Sequence, residues 1–174
     1  MLRLPVFVFV ALAASAAAQQ GQPRIELQSS ELPGVTAHFL TIPWGPNTFA
    51  AMEAPGEGFY NRRSWPFARL ETSAALTLAG NTLAPGNYAL VFHPNNEKDE
   101  GMALEVIAIA PGEFLKPGTA FAQTPEGDSR FRESVRFDTV DDVAPVLQVQ
   151  LVSADAGRSL VVHYGNKRLA LPVE

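Results

Sequence analysis

Cysteine is absent from all 174 residues. That excludes a disulfide scaffold, a lipoprotein anchored through an acylated cysteine, and thiolate or redox chemistry. Positive charge is also sparse. The 13 Lys and Arg face 18 Asp and Glu, for a formal net charge of −5, so the broad basic face that neutralises phosphates is missing and nucleic acid is not an expected partner. Only three histidines occur, His38, His93 and His163, far apart and in no H-x-H or H-E-x-x-H pattern, so no zinc site is expected. The acidic loop holding Glu97, Asp99 and Glu100 lacks the D-x-D-x-D-G order of a calcium loop. No G-x-S-x-G elbow is present for serine catalysis. No metal and no cofactor are therefore expected.

What is present begins with a leader. Met1, Leu2 and Arg3 precede an apolar run from Leu4 to Ala14, and small residues follow up to Ala18. The run is much shorter than the roughly 20 residues that span a membrane, and Ala16 and Ala18 form an A-x-A site. Residues 1–18 thus read as a cleavable signal peptide, with mature protein starting at Gln19 and no membrane span left in it. Loss of Arg3 leaves 12 basic residues against 18 acidic ones and moves the charge from −5 to −6. The expected destination is the bacterial periplasm or the medium. Residues 19–174 suit one domain, and a composition 47% hydrophobic and 18% charged is that of a globular chain.

Short runs of Val, Leu, Ile, Thr and Phe between Gly, Pro and Asn clusters predict an all-β fold, a single antiparallel β-sandwich. Strands are expected at residues 36–42, 102–109, 132–137 and 146–152, and a central strand carries Tyr88, Leu90 and Phe92 on its buried face. Gly165-Asn166 predicts a type II′ hairpin joining 159–164 to 167–173, with Leu160, Val162, Leu169 and Leu171 on the core side and His163 facing Arg168. Gly80-Asn81 predicts a second such hairpin with Leu78 opposite Leu83. Pro85-Gly86 predicts a type II turn with positive φ at Gly86. Residues 43–66 and 111–129 read as irregular, and loops that long are usually functional or mobile.

The stretch LTLAGNTLAPGNYALVFH, the closing LVVHYGNKRLALPV, the segment IPWGP and Trp65 together resemble a family of secreted bacterial proteins, domain-of-unknown-function family 2911. The resemblance spans most of the mature chain. It implies export and a β-sandwich, and it carries no established activity.

Tyr60, Arg62, Arg63 and Trp65 concentrate guanidinium forks and flat aromatic surface where strand alternation is lacking. Arginine forks match carboxylate and sulfate geometry, and aromatic faces stack on sugars. These four residues are the candidate ligand site, for a small anionic or sugar-like ligand; the bland reading is that Trp65 plugs the end of the sandwich. Arg130, Arg132, Ser134 and Arg136 read as one stripe, charge-balanced by flanking acids. The functional expectation is a non-catalytic module that binds a small ligand or an envelope protein. The alternative is a hydrolase-type enzyme using Glu53, Glu57 and Glu71 near Trp65.

Overall fold

The computed structural model describes residues 24–53, 64–94, 102–115, 123–155 and 157–174. The leader, Glu57, Tyr60, Arg62, Arg63 and the acidic loop from Asn95 to Gly101 lie outside them. The chain is almost all β. Its elements are β1 (Leu27–Leu32), β2 (Val35–Leu40), α1 (Pro46–Glu53), β3 (Trp65–Thr72), β4 (Leu76–Leu78), β5 (Asn81–Leu83), β6 (Gly86–Pro94), β7 (Met102–Ile109), β8 (Asp128–Val135), β9 (Asp138–Ala154) and β10 (Gly157–Val173).

Two antiparallel sheets form, one ordered β1-β2-β3-β6-β7-β8 and the other β5-β4-β10-β9. The expected sandwich arises because each sheet turns an apolar face to the other. Phe39, Leu70, Tyr88, Leu90, Phe92, Leu104 and Val106 from the first meet Leu76, Leu78, Leu147, Val149, Leu160, Val162 and Leu171 from the second in one buried cluster. Along one side the sheets are stitched together: Trp44 N donates to Pro145 O (2.9 Å) and Leu147 N to Ile42 O (2.8 Å). The six-stranded sheet has a smaller second core on its outer face, where Leu40, Ala89, Val91 and Ile107 lie under Phe114 and Leu115.

Strand alternation was a dependable guide in β9, whereas β6 and β7 are buried on both faces, Ala89, Val91 and Ile107 lying in the second core. In β9, Leu147, Val149 and Leu151 are buried while Gln150 is exposed. Turn chemistry was a poorer guide. No hairpin occurs at Gly165-Asn166: β10 runs straight through it, pairing with β9 from Gly157↔Ala154 to Arg168↔Asp138 with register shifts on both sides of Gly165. The inward residues are even-numbered up to Tyr164 and odd-numbered from Leu169. An irregularity that absorbs one residue switches this parity as a bulge does, so the core-side set of the expected hairpin survives although its cross-strand partners do not. His163 faces Gln148, and Arg168 faces Asp138.

The β4–β5 hairpin is present but shifted by one residue. Leu76 faces Leu83 and Leu78 faces Asn81, leaving Ala79 and Gly80 as the loop. Both have positive φ, 51° and 82°, which makes a type I′ rather than a type II′ turn. The register is held from outside, because Leu78 also pairs with Val173 of β10. The turn expected at Pro85-Gly86 likewise moves: Gly86 opens β6 without positive φ, whereas Pro33-Gly34 closes β1 onto β2 with Gly34 at φ 85°.

Residues 43–66 are not simply irregular. Gly45 O accepts the first helical bond from Phe49 N (2.9 Å), and Pro46 occupies the first helical position, where its missing N–H costs nothing. The resulting α1 drops Phe49 into the core. Trp65-Pro66 opens β3, whose pairing with β6 shifts between Pro66 and Ala68. A bulge is where a sheet tolerates proline.

Because Leu169 is buried and Arg168 exposed, the two neighbours should respond differently to truncation. Leu169→Ala is expected to cost about 2 to 3 kcal/mol, the lower part of the range for buried leucines, and Arg168→Ala less than about 0.5 kcal/mol. Equal midpoints in urea titration would contradict the inward face assigned to β10.

Candidate ligand-binding end of the sandwich

Trp65, the first residue of β3, sits opposite Phe92 of β6 and is half-buried. Around it the fold gathers rings from five places in the chain. Its ring centroid lies 5.2 Å from Tyr164, 5.7 Å from Phe92, 6.2 Å from Phe67 and 6.5 Å from Phe49. Phe67 and Phe92 stack at 4.1 Å, and Phe137 meets Phe49 edge-on at 5.0 Å. Such offset and edge-on arrangements suit the ring quadrupoles.

The linker between β2 and α1 completes this end. Tyr164 donates its hydroxyl hydrogen to Pro43 O (2.6 Å), and its oxygen accepts from Gly45 N (3.0 Å). Trp44 stands edge-on to Tyr164 at 4.6 Å. Burial raises the Tyr164 pKa above the ordinary phenol value of 10.0, with the Gly45 N–H partly opposing it, so the phenol is neutral at physiological pH. At the rim Lys167 Nζ lies 3.2 Å from Glu53 Oε2 and 5.8 Å from the Phe49 ring centroid. Ser64 and Thr124 join through their hydroxyls.

Of the four candidate residues, Trp65 alone is described. Its contacts match an aromatic that plugs the sandwich end, and the residue stays partly exposed. Sequence reasoning missed Trp44, Phe49 and Tyr164, of which only Trp44 had a visible signal, inside IPWGP.

The carboxylates expected beside Trp65 divide. Glu53 is occupied by Lys167, whereas Glu71 belongs to the other end: it lies six residues further along β3, about 20 Å at a strand's rise. There Arg69 Nη2 lies 2.9 Å from Glu71 Oε1 and donates through Nη1 to Phe114 O (2.9 Å), with His38 Nε2 3.6 Å from Glu71. Glu71 is therefore corrected out of the Trp65 neighbourhood. The arginine stripe is corrected as well. Arg132 and Ser134 face Glu105 and Ala103 across the strands, Arg130 falls at a register shift between Val106 and Ile107, and Arg136 lies past the end of β8.

The histidines stand on three different strands, and among the described residues no group of three or more His, Asp or Glu could hold a metal ion. His93 Nε2 lies 2.7 Å from Glu105 Oε2. Burial lowers the His93 pKa below the usual 6.5, the nearby Arg132 lowers it further, and Glu105 opposes both. Below pH 6.5 the unfolded chain therefore takes up this proton before the folded one. His93 contributes stability that is present above that pH and is lost as the pH falls towards the folded pKa. His93→Gln should flatten the fall in urea midpoint between about pH 7 and about pH 5; an unchanged slope would remove His93 as its source.

No family model, curated protein or solved structure matches the chain.

Proposed function

We propose that the protein is an exported, non-catalytic binding module whose Trp65 end takes a small anionic or sugar-like ligand. The observation that carries this reading is the half-buried Trp65 ring over the aromatic cluster. A rigid sheet end with exposed ring surface can stack on a sugar or planar ligand without first ordering itself. Arg62 and Arg63 stand three and two positions before Trp65 in the chain, so the covalent backbone keeps their Cα atoms within about 11 Å of its own. Guanidinium forks at that reach would recognise a carboxylate beside the stacked ring. The polar partners of this end support binding over turnover, since Glu53 is held by Lys167 and the Tyr164 hydroxyl is engaged by Pro43 O and Gly45 N. The leader of residues 1–18 supports export to the periplasm or medium, where the mature chain would begin at Gln19, as would the resemblance to family 2911.

Galacturonate, both a sugar and an anion, is the probe. Titration should change the tryptophan fluorescence saturably. Replacing Arg62 and Arg63 together by Ala should weaken binding more than tenfold, about 1.4 kcal/mol, with the melting temperature unchanged. No saturable response, or equal affinity of the double variant, would overturn the reading.

A further inference from the structure

The other end of the sandwich carries a cleft of about 360 Å³ between the β5–β6 connection and the ends of β7 and β8. Among the described residues Arg130 is its one charged lining residue. We propose that this cleft is a second binding site, for a small carboxylate with an apolar body, and that Arg130 holds the carboxylate.

The placement of Arg130 follows from the backbone. Phe131 pairs with Val106 and Ser129 with Ile107, so Arg130 is the extra residue of a bulge and has no partner opposite. Bulges re-aim side chains in this way; here Arg130 falls out of register with Arg132 and Ser134 and lines the cleft. Among the described residues no carboxylate pairs with it, not even Asp128 two positions away on the same strand. Its fork is free for a planar oxyanion, which it can meet through two parallel hydrogen bonds.

The rest of the lining defines the remainder of the ligand. Leu83, Pro85 and Ile109 supply apolar surface, and Thr82 and Asn87 supply a hydroxyl and an amide. The volume lies at the small end of the range for ligand pockets, which suits a single ring or short chain. A neighbouring cleft of about 490 Å³ shares Gly86 and Asn87 with this one but is lined by Glu31 and Glu71. Glu71 is compensated by Arg69, but Glu31 repels an anion there and leaves the Arg130 side as the favoured one. Asn87 is five residues along β6 from Phe92, about 17 Å at a strand's rise, so this site is separate from the Trp65 end.

Benzoate is the probe, with benzamide as its uncharged control. In a backbone-amide NMR titration, benzoate should shift Thr82, Asn87 and Ile109 saturably in the low millimolar range, and benzamide should bind at least tenfold more weakly. Arg130 is exposed, so Arg130→Gln should keep the melting temperature while weakening benzoate at least tenfold. Arg130→Lys, which keeps the charge and loses the fork, should weaken it severalfold. Replacing Arg62 and Arg63 should change nothing here, which separates this site from the Trp65 reading. Shifts that gather at the Trp65 indole, affinity indifferent to Arg130→Gln, or no saturable shift at all would overturn the proposal.

Discussion

Gly165→Ala is expected to lower the unfolding free energy by about 2 to 5 kcal/mol, a large effect for one added methyl group. Two penalties coincide at that position. Gly165 has φ 61°, in the left-handed region, where a side chain costs about 1 to 2 kcal/mol. A Cβ built there would also stand 2.1 Å from two atoms of the Trp44 ring. The strand cannot retreat, since β9 and the core hold it on either side. Trp44 would have to leave its edge-on contact with Tyr164, straining the Pro43–Gly45 linker that the Tyr164 hydroxyl ties down. Gly80→Ala is the control. Gly80 has a similar φ of 82° but no neighbour within 4 Å of a built Cβ, so it should show the backbone penalty alone, about 1 to 2 kcal/mol. Urea titration of both variants separates the terms. A Gly165→Ala loss no greater than that of Gly80→Ala would mean that Trp44 does not rest on this glycine.

Phe49→Ala should cost about 3 to 5 kcal/mol. Phe49 is only 2% exposed and touches Trp44, Trp65, Phe137 and Tyr164, so its removal opens a cavity among four large rings that cannot all collapse into it. It is also the residue that docks α1. An eight-residue helix is too short to persist without packing, and the same substitution should therefore expose residues 46–53 to protease well below the unfolding transition. Phe49→Leu, which refills most of the space, should lose about half as much. A cost under about 1 kcal/mol for Phe49→Ala would mean that the helix is not anchored by this ring.

Strand content was legible where apolar residues run or alternate along the chain, because both are local properties. The strands expected at 102–109 and around Tyr88, Leu90 and Phe92 rest on these, although the face carrying Ala89 and Val91 is buried as well. Strand β1 escaped notice for the complementary reason: in LQSSEL no position is fully buried, so there is no apolar period to read. Strand β3 was hidden by Trp65-Pro66, which signals a break in most contexts and a bulge only when a neighbouring strand accepts it. The Gly165-Asn166 pair shows the limit most clearly. Positive φ at a glycine serves a reversal of the chain and a bulge equally well, and the choice is made by β9, whose residues 138–144 continue far enough to pair with both halves of β10. The aromatic end was legible only at Trp65 and, faintly, at Trp44. Its members are up to 120 positions apart, and no local pattern announces that Pro43 will accept a hydrogen bond from Tyr164.

The position of β10 within the four-stranded sheet also bears on how the molecule can be assembled. It lies between β4 and β9, and its pairing of Val173 with Leu78 closes a loop of more than 90 residues. Contacts of such high sequence separation make folding slow, since the entropy of loop closure is lost before the pairing is gained. Until residues 157–173 are in place, β4 and β5 have only each other, and of the second sheet only β9, stitched to the linker after β2, is left to cover the inner face of the six-stranded sheet. A chain interrupted after residue 155 would lack Leu160, Val162, Leu169 and Leu171 from its core, leave much of the apolar sheet uncovered, and should aggregate rather than fold.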